Sequence, residues 1–418
     1  MPAAQLSTYK LIRNIWPDAA IAEQILKGSP ALGLFKTDTK FGEKIRYVTV
    51  GTSPPQGLGD FGAAKRNKSA STAVEFQVQL ASYYGNFSIA GDIWRRAKFT
   101  GNRAVLKDPM VRDSKGLMNQ AKNDFSSFIH GNGGGSLGRI KSTSTLTSQT
   151  ITLDKGVDRR RIVKGMTLQA ATTDGTSGSV LPGTVTVASV GGTVSAPTIT
   201  IVETSWSSAI PGITTTSYLF RDGAFGPTSV FYGLDAWLPN HGGSPSAFLG
   251  VTRSDAPEQL AGINLDLRGK SPYQRFLLAS QASADSGQAE GRQVYLVSTQ
   301  AWVDLQIELG NKVVLTKSPA ATVGGMNLGV EYDAIRLVGP AGSADVIADP
   351  WMPVDVERYL CVDTFTKASC GEFFHWDDDA TPNGPMLEDA ADAREVRAVG
   401  DQQLYCDNPW PNVRVQTA

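Results

Sequence analysis

The sequence predicts an α+β chain carrying a small all-β module, and three observations predict it. Apolar and polar residues alternate in "KIRYVTVG" (44–51) and "STAVEFQVQLASYYGNFSIAG" (71–91). Strand side chains point to opposite faces in turn, so this period of two builds half-buried strands. Capped segments with helical periodicity stand at 108–131, 271–287 and 299–310. Between about 137 and 226 the composition shifts abruptly to Ser, Thr, Val and Gly. A length of 418 residues exceeds one small core, so the chain makes two or three domains, or one domain with large insertions.

In chain order, "PDAAIAEQILKG" (17–28) suits a short helix, with Pro17 and Asp18 near its start and Gly28 as its stop. The two alternating runs follow, with Val74, Phe76, Val78 and Leu80 on one face. Between them lies "TSPPQGLGDFGAAKRNKSA" (52–70), rich in Pro, Gly and small residues. Together they predict a long two-stranded arm over 41–96 with a mobile tip. An isolated ribbon is marginal in water and its edges invite pairing. The arm therefore makes physical sense lying on another subunit; the alternative is a hairpin folded back on its own domain. Candidate contact residues are Pro54, Pro55, Phe61, Lys65, Arg66 and Lys68 near the tip, and Trp94, Arg95 and Arg96 at the far end.

Asp108 as a cap and Pro109 in the first turn open a helix whose Val111, Met118, Ala121, Phe125, Phe128 and Ile129 fall near one face, with Gly131 as its end. "GNGGGSLG" (131–138) lacks the Lys-Ser/Thr ending of a phosphate loop and follows a helix where that motif follows a strand, so it is a linker. In 137–226, "STLTSQTITLD", "VKGMTLQAAT", "GTVTVASV" and "APTITIVE" are short strands separated by turn residues, the pattern of a small barrel or sandwich. Its "DRRR" (Asp158 to Arg161) is a basic cluster able to meet phosphate, or an exposed turn.

Beyond the module, "SPYQRFLLASQASADSG" (271–287) suits a helix, "RQVYLVST" (292–299) a buried strand and "TQAWVDLQIELG" (299–310) a second helix ended by Gly310. Strands return in "DAIRLVG", "DVIAD", "VERYLCVDTF" and "CGEFFHW", and "REVRAVGDQQLYCDNPWPN" predicts a hairpin about Gly400 and Asp401.

The chemistry of the side chains points away from catalysis. A net charge of -1, from 39 basic and 40 acidic residues, gives no overall attraction to nucleic acid or an anionic membrane. No run of 18 apolar residues offers a membrane span, and the amino-terminal stretch has no export leader. Cys361, Cys370 and Cys406 lack metal-ligand spacing and suit reduced thiols. In "EFFHWDDDATPNG" (372–384) an extended chain puts His375, Asp377 and Asp379 on one side, as metal ligands require; the competing reading is a hairpin with an acidic turn closed by Pro382, Asn383 and Gly384. Three adjacent Asp followed by Ala do not make a calcium loop. There is no Gly-x-Ser-x-Gly elbow, no His-Glu-x-x-His and no dinucleotide glycine pattern, so "NHGGS" (240–244) has no nucleophile to serve as an oxyanion loop. His130 and His241 suit structural roles. No cofactor is expected. A metal-dependent hydrolase with an accessory β module, using His375, Asp377 and Asp379, is the alternative of a different class.

The order of short helix, long β arm, long helix, mixed α/β domain and final strands resembles the major capsid proteins of tailed bacteriophages, the Hong Kong 97-type fold. The wording is closest in "VYLVSTQAW", "VIADPWMP", "RYLCVDTFTKASCGEFFHWDDD" and "LYCDNPWPN", taken in that order. The resemblance implies an amino-terminal arm (1–40), an extended β-hairpin loop (41–96), a peripheral domain with a spine helix (97–136) and its return (227–250), an axial domain (251–348) and carboxyl-terminal peripheral strands (349–418). The Ser/Thr-rich module (137–226) departs from the minimal fold as an insertion. It further implies a virion protein made and assembled in the host cytoplasm; another shell of the same fold, such as a protein compartment, or a tail component is a further alternative. Its partners would be its own copies in hexamers and pentamers of an icosahedral shell, the portal, separate scaffolding or decoration proteins, and packaged DNA held without sequence specificity.

Overall fold

The computed structural model describes residues 25, 28–100, 104–193, 196–310, 315–319, 322–323, 326–327, 331–377, 386–387 and 392–417. The expected helix at 17–28 lies outside these, apart from helical Ile25 and the turn at Gly28; the first helix with described bounds is Pro30–Leu34.

One six-stranded sheet is organised by the 14-residue strand Ala393–Cys406. Along one side it pairs antiparallel with Ala81–Ala90, from Ala393 opposite Ala90 to Gln402 opposite Ala81. Along the other it takes Phe365–Ser369, His375–Trp376 and Met386–Leu387. Lys36–Asp38 adds parallel to Phe365–Ser369. Gly400 and Asp401 therefore sit inside a continuous strand, and the hairpin expected there does not form. Gly400 serves close approach instead: a Cβ there would stand 2.7 Å from Phe373 O and 2.9 Å from Phe374 Cδ2.

The helix Ala104–Phe128 packs on this sheet and begins before the expected cap at Asp108, so Pro109 lies inside the helix. Its buried face runs Met110, Met118, Ala121, Phe125 and Phe128, at turn-related spacing. Phe125 stands edge-on among Tyr83, Phe373 and Phe374, with ring centroids 5.1, 5.4 and 5.6 Å away.

The arm is shorter than 41–96. Arg46–Ser53 and Thr72–Val78 form a two-stranded antiparallel ribbon. The chain then breaks at 79–80, Ala81–Ala90 joins the six-stranded sheet, and Gly91–Thr100 is a helix. Ala81–Ala90 has one strand neighbour there, as it would in a ribbon, but that neighbour belongs to a larger sheet with the long helix packed on it, which stabilises the pairing better than a lone ribbon does. The base of the ribbon folds onto its own chain: Val48, Val50, Phe76 and Val78 are buried, and Phe76 meets Trp237 with centroids 5.1 Å apart.

A second sheet has seven strands in the order Ile263–Asp266, Val413–Gln416, Val356–Cys361, Gln293–Val297, Gly342–Ala348, Glu331–Gly339, Leu315–Pro319. The expected division at 349 fails here, because Val356–Cys361 and Val413–Gln416 enter this sheet while Phe365–Ser369 and Ala393–Cys406 enter the other. Pro272–Asp285 covers it behind a complete capping box of Ser271 and Gln274, and Thr299–Leu309 follows with Ser298 as cap. Strand Gln293–Val297 is buried on both faces. Val294 and Leu296 point into the core shared with the six-stranded sheet, whereas Tyr295 and Val297 point to the helices.

Residues 138–221 form a separate six-stranded sheet, ordered Gly138–Arg139, Tyr218–Arg221, Thr167–Ala171, Val185–Gly192, Pro197–Ile201, Thr150–Thr152. It has its own core of Leu137, Ile151, Leu168, Val185, Ile199, Trp206 and Leu219. Its two ends lie side by side, since Tyr218 pairs with Arg139. The glycine-rich run before it is packed and not an open linker. A Cβ on Gly134 would be 2.1 Å from Asp174 O, and one on Gly175, whose φ is +92°, would be 2.0 Å from Gly134 O.

Candidate assembly surface

The ribbon carries its most exposed apolar residues at the tip, with Tyr47, 56% exposed, nearer its base. Asp60 caps a short helix, Phe61–Arg66, accepting from Ala63 N at 2.7 Å. The tip thus carries a short helix of its own within the segment expected to be loop. Gly57 packs on it, with room for no Cβ closer than 3.2 Å to Ala64 O and Lys68 Cα, and Ser69 Oγ accepts from Gln56 N at 3.0 Å. This local order leaves Phe61 85% and Leu58 83% exposed. Each such side chain gains about 2 kcal/mol on full burial, which nothing among the described residues supplies.

The structure gathers six of the nine sequence candidates at this tip: Pro54, Pro55, Phe61, Lys65, Arg66 and Lys68, all exposed. It separates the other three. Trp94, Arg95 and Arg96 lie on the helix Gly91–Thr100, and the side chain of Trp94 is outside the described part. Arg95 holds Asp392 through two nitrogens at 3.0 and 2.6 Å, and Arg96 stands 3.4 Å from Asp92. Arg95 thus ties this helix to the start of the central strand. Leu58 escaped sequence reading because a lone Leu between glycines carries no periodic signal.

Behind the surface lie buried polar joints that sequence reading also missed. His130, Asp349, Arg358 and Asp235 form one. His130 Nε2 stands 3.1 Å from Asp349, Arg358 donates to His130 Nδ1 at 3.1 Å and to Asp235 at 2.5 Å, and Arg414 Nε donates to Asp235 at 3.5 Å. With Nδ1 accepting, the histidine is the neutral Nε2–H tautomer, and burial accordingly pulls its pKa below the ordinary value. Burial would raise Asp349, but His130 and donors from Ser29 and Trp351 N outweigh it and keep the carboxylate below its usual range. His130 is therefore a structural histidine that ties the end of the long helix to the seven-stranded sheet.

A second joint links the module to the body. Arg221 donates to Asp124 and to Tyr83 Oη, the latter at 2.8 Å, and Tyr83 also donates to Asp124. The "DRRR" cluster serves the same junction: Arg160 donates to Pro350 O at 2.6 Å, and nearby Lys155 holds Asp355 at 2.8 Å. Asp158 is buried, and that burial raises its pKa to about 6. Lys367 is buried too, donating to Leu32 O with Phe373 beneath it, and burial lowers its pKa to about 7.

The acidic stretch gives the following geometry. His375 pairs with Val399 in the six-stranded sheet, its Nδ1 3.3 Å from Glu372 O, and Asp377 stands 3.9 Å from Arg397. Asp378, Asp379 and the expected turn lie outside the described residues. Among the described residues no three His, Cys, Asp or Glu side chains gather as metal ligands do. No described helix is long and apolar enough to cross a membrane.

No protein-family model matches the chain, and no curated protein matches it either. Solved structures do. A chain of the capsid asymmetric unit of cyanophage A-1(L) superposes with a TM-score of 0.50 at 12% identity, over 93% of this chain and 92% of that one. A capsid chain of an empty GTA particle gives 0.41 at 8% identity, covering 94% and 96%. The holo-SrpI encapsulin complex from Synechococcus elongatus gives 0.40 at 9% identity, covering 97% and 88%. The chain has the mixed α/β fold of the cyanophage capsid chain along nearly the whole of both.

Proposed function

We propose that this chain is the major capsid subunit of a tailed bacteriophage, self-assembling into hexamers and pentamers of an icosahedral head that encloses double-stranded DNA. The observation that carries this reading is the extent of the shared fold, 93% of this chain against 92% of a phage capsid chain. A site grafted on a common fold would not require such end-to-end correspondence. The exposed ribbon tip supports it from the physical side, since Leu58 and Phe61 offer apolar area that a neighbouring copy would bury.

In this reading the fold is of the Hong Kong 97 type. The ribbon at 46–78 is the extended loop, the helix at 104–128 the spine of the peripheral domain, and the seven-stranded sheet with its two helices the axial domain. Residues 138–221 are an inserted module. The tip candidates Pro54, Pro55, Phe61, Lys65, Arg66 and Lys68 touch a neighbour. The role is structural and not catalytic, carried out in the virion after assembly in the host cytoplasm. Partners beyond its own copies are the portal, scaffolding or decoration proteins, and DNA. A near-neutral chain, net -1, suits DNA packed densely without tight or sequence-specific contact.

Electron microscopy of the purified protein, alone and with co-expressed scaffolding, tests the reading. Closed shells of uniform diameter are expected. Discrete small particles holding a stoichiometric metal would overturn it in favour of the hydrolase.

A further inference from the structure

A cavity of about 460 Å³ opens where residues 132–133, the module loop at 174–176 and the segment 227–253 meet. Tyr232, Phe248, Asp174, Asp235, Arg253 and Arg414 are in its wall. Arg253 is the unusual member, because it is only 2% exposed. Its Nε donates to Ser246 O at 2.9 Å, its Nη1 to Ala236 O at 2.8 Å, and its guanidinium lies 4.7 Å from the Phe248 ring centroid. Among the described residues no carboxylate lies within ion-pair distance of it, and Nη2 has no protein acceptor. The nearby carboxylate is already committed, since Asp235 serves both Arg358 at 2.5 Å and Arg414 at 3.5 Å. Two guanidinium groups therefore share this half-buried carboxylate, and neither it nor another described carboxylate is left to pair with Arg253.

A buried charge without a counter-charge costs several kcal/mol, which favours either neutralisation or a ligand of opposite sign. Arg does not deprotonate in proteins, so the ligand is the available solution. Burial draws Arg253 down to about 10, in keeping with a cation that lacks an anion.

We propose that this cavity is a binding site for a carboxylate on a short apolar stem, its head on Arg253 and its stem against Phe248 and Tyr232. The two rings meet edge to face with centroids 4.9 Å apart, a surface for CH and not for a second polar group. A single negative charge is selected over a phosphate dianion, because Asp174 and Asp235 share the wall and repel further charge. An acidic side chain of a neighbouring copy and a free small carboxylate have the same chemistry, and the state of assembly separates them.

The test uses the full-length unassembled subunit, so that it stands whether or not the protein forms shells. Benzoate is titrated by calorimetry into the parent and into Arg253→Gln, with inorganic phosphate as a second probe. Saturable benzoate binding, weakened about tenfold or more in the variant and by phosphate not matched, is expected from the loss of a charge-assisted contact. No saturable binding to the parent, or equal binding to both, overturns the proposal. Because Arg253→Gln could fail to fold, 4-bromobenzoate is also located in crystals of the parent by the anomalous signal of bromine. Bromine in this cavity supports the site, and bromine elsewhere or nowhere overturns it. Where particles form, their refusal of benzoate assigns the site to a neighbour's acidic side chain, and their uptake of it assigns a free carboxylate.

Discussion

Arg221 Nη2 donates to Asp124 Oδ1 at 3.1 Å across the junction between the module sheet and the long helix, and Asp124 is buried. The pair makes the module more than a passenger. Its neighbouring ends permit excision, but excision strands a buried carboxylate.

Replacing 137–224 by a short Gly/Ser link is therefore expected to cost about 3–5 kcal/mol, the scale for removing one partner of a buried pair. Adding Asp124→Asn to the deletion should recover most of that loss, because the amide still accepts from Tyr83 without a charge. Urea unfolding of the two deletions, read by m-value and midpoint, checks this. Equal stability with and without Asp124→Asn would show that the carboxylate is not what the module protects.

At the ribbon tip the expectation is reversed. Deleting 54–69, or replacing Leu58 and Phe61 together by Asp, should leave unfolding free energy within about 0.5 kcal/mol, the range of surface substitutions. Shell formation should fall sharply. Sedimentation and electron microscopy read assembly, and normal shells at normal yield would remove the tip from the interface.

Lys367 sets a dependence on alkaline pH. Its folded pKa of about 7 lies below the ordinary lysine value of 10.5, so between these the unfolded chain binds more protons and stability rises with pH. The slope should be about 1.4 kcal/mol per pH unit between about pH 7.5 and 8.5, and Lys367→Met should flatten it. Below pH 7 both states are protonated and the effect vanishes. Above about pH 9 Cys361, raised by burial to about 11, and Cys406, raised further, oppose it, because the folded chain then holds the extra protons. Chemical denaturation at several pH values decides.

Replacing Asp377, Asp378 and Asp379 together by Asn should change folding by no more than about 1 kcal/mol, as expected of a solvated turn. Thermal melts with and without chelator should coincide for parent and variant. A parent that chelator destabilises, beside an insensitive and much weaker variant, would revive the metal reading.

Much of the fold was legible where the signal is local. Ser271, Pro272 and Gln274 announce a helix start within four residues, and the run at Gln293–Val297 is too apolar for anything but a strand buried on both faces. What local reading could not supply is partnership at long range. Gly400 and Asp401 look like a turn until Ala81–Ala90 lies beside them, and Ala81–Ala90 looks like a continuation of the ribbon until Ala393–Cys406 does. Asp124 on a helix and Arg221 on a strand are two ordinary surface residues in sequence, 97 positions apart. At the surface, Pro54, Phe61 and the basic residues stood out by composition, whereas Arg95 looked the same whether it met a neighbour or Asp392 of its own chain.

The strand Ala393–Cys406 also makes the sheet depend on a pairing between distant parts of the chain. It is the central rung of its sheet, yet Ser82 and Asp401, bonded across it, are 319 residues apart. Until that strand has been synthesised, Ala81–Ala90 has an unpaired edge and the apolar side of the long helix has no cover. Loop closure over such distances is slow, and open edges aggregate while they wait. Lowering the temperature of expression should therefore raise the yield of soluble subunit without any change of sequence.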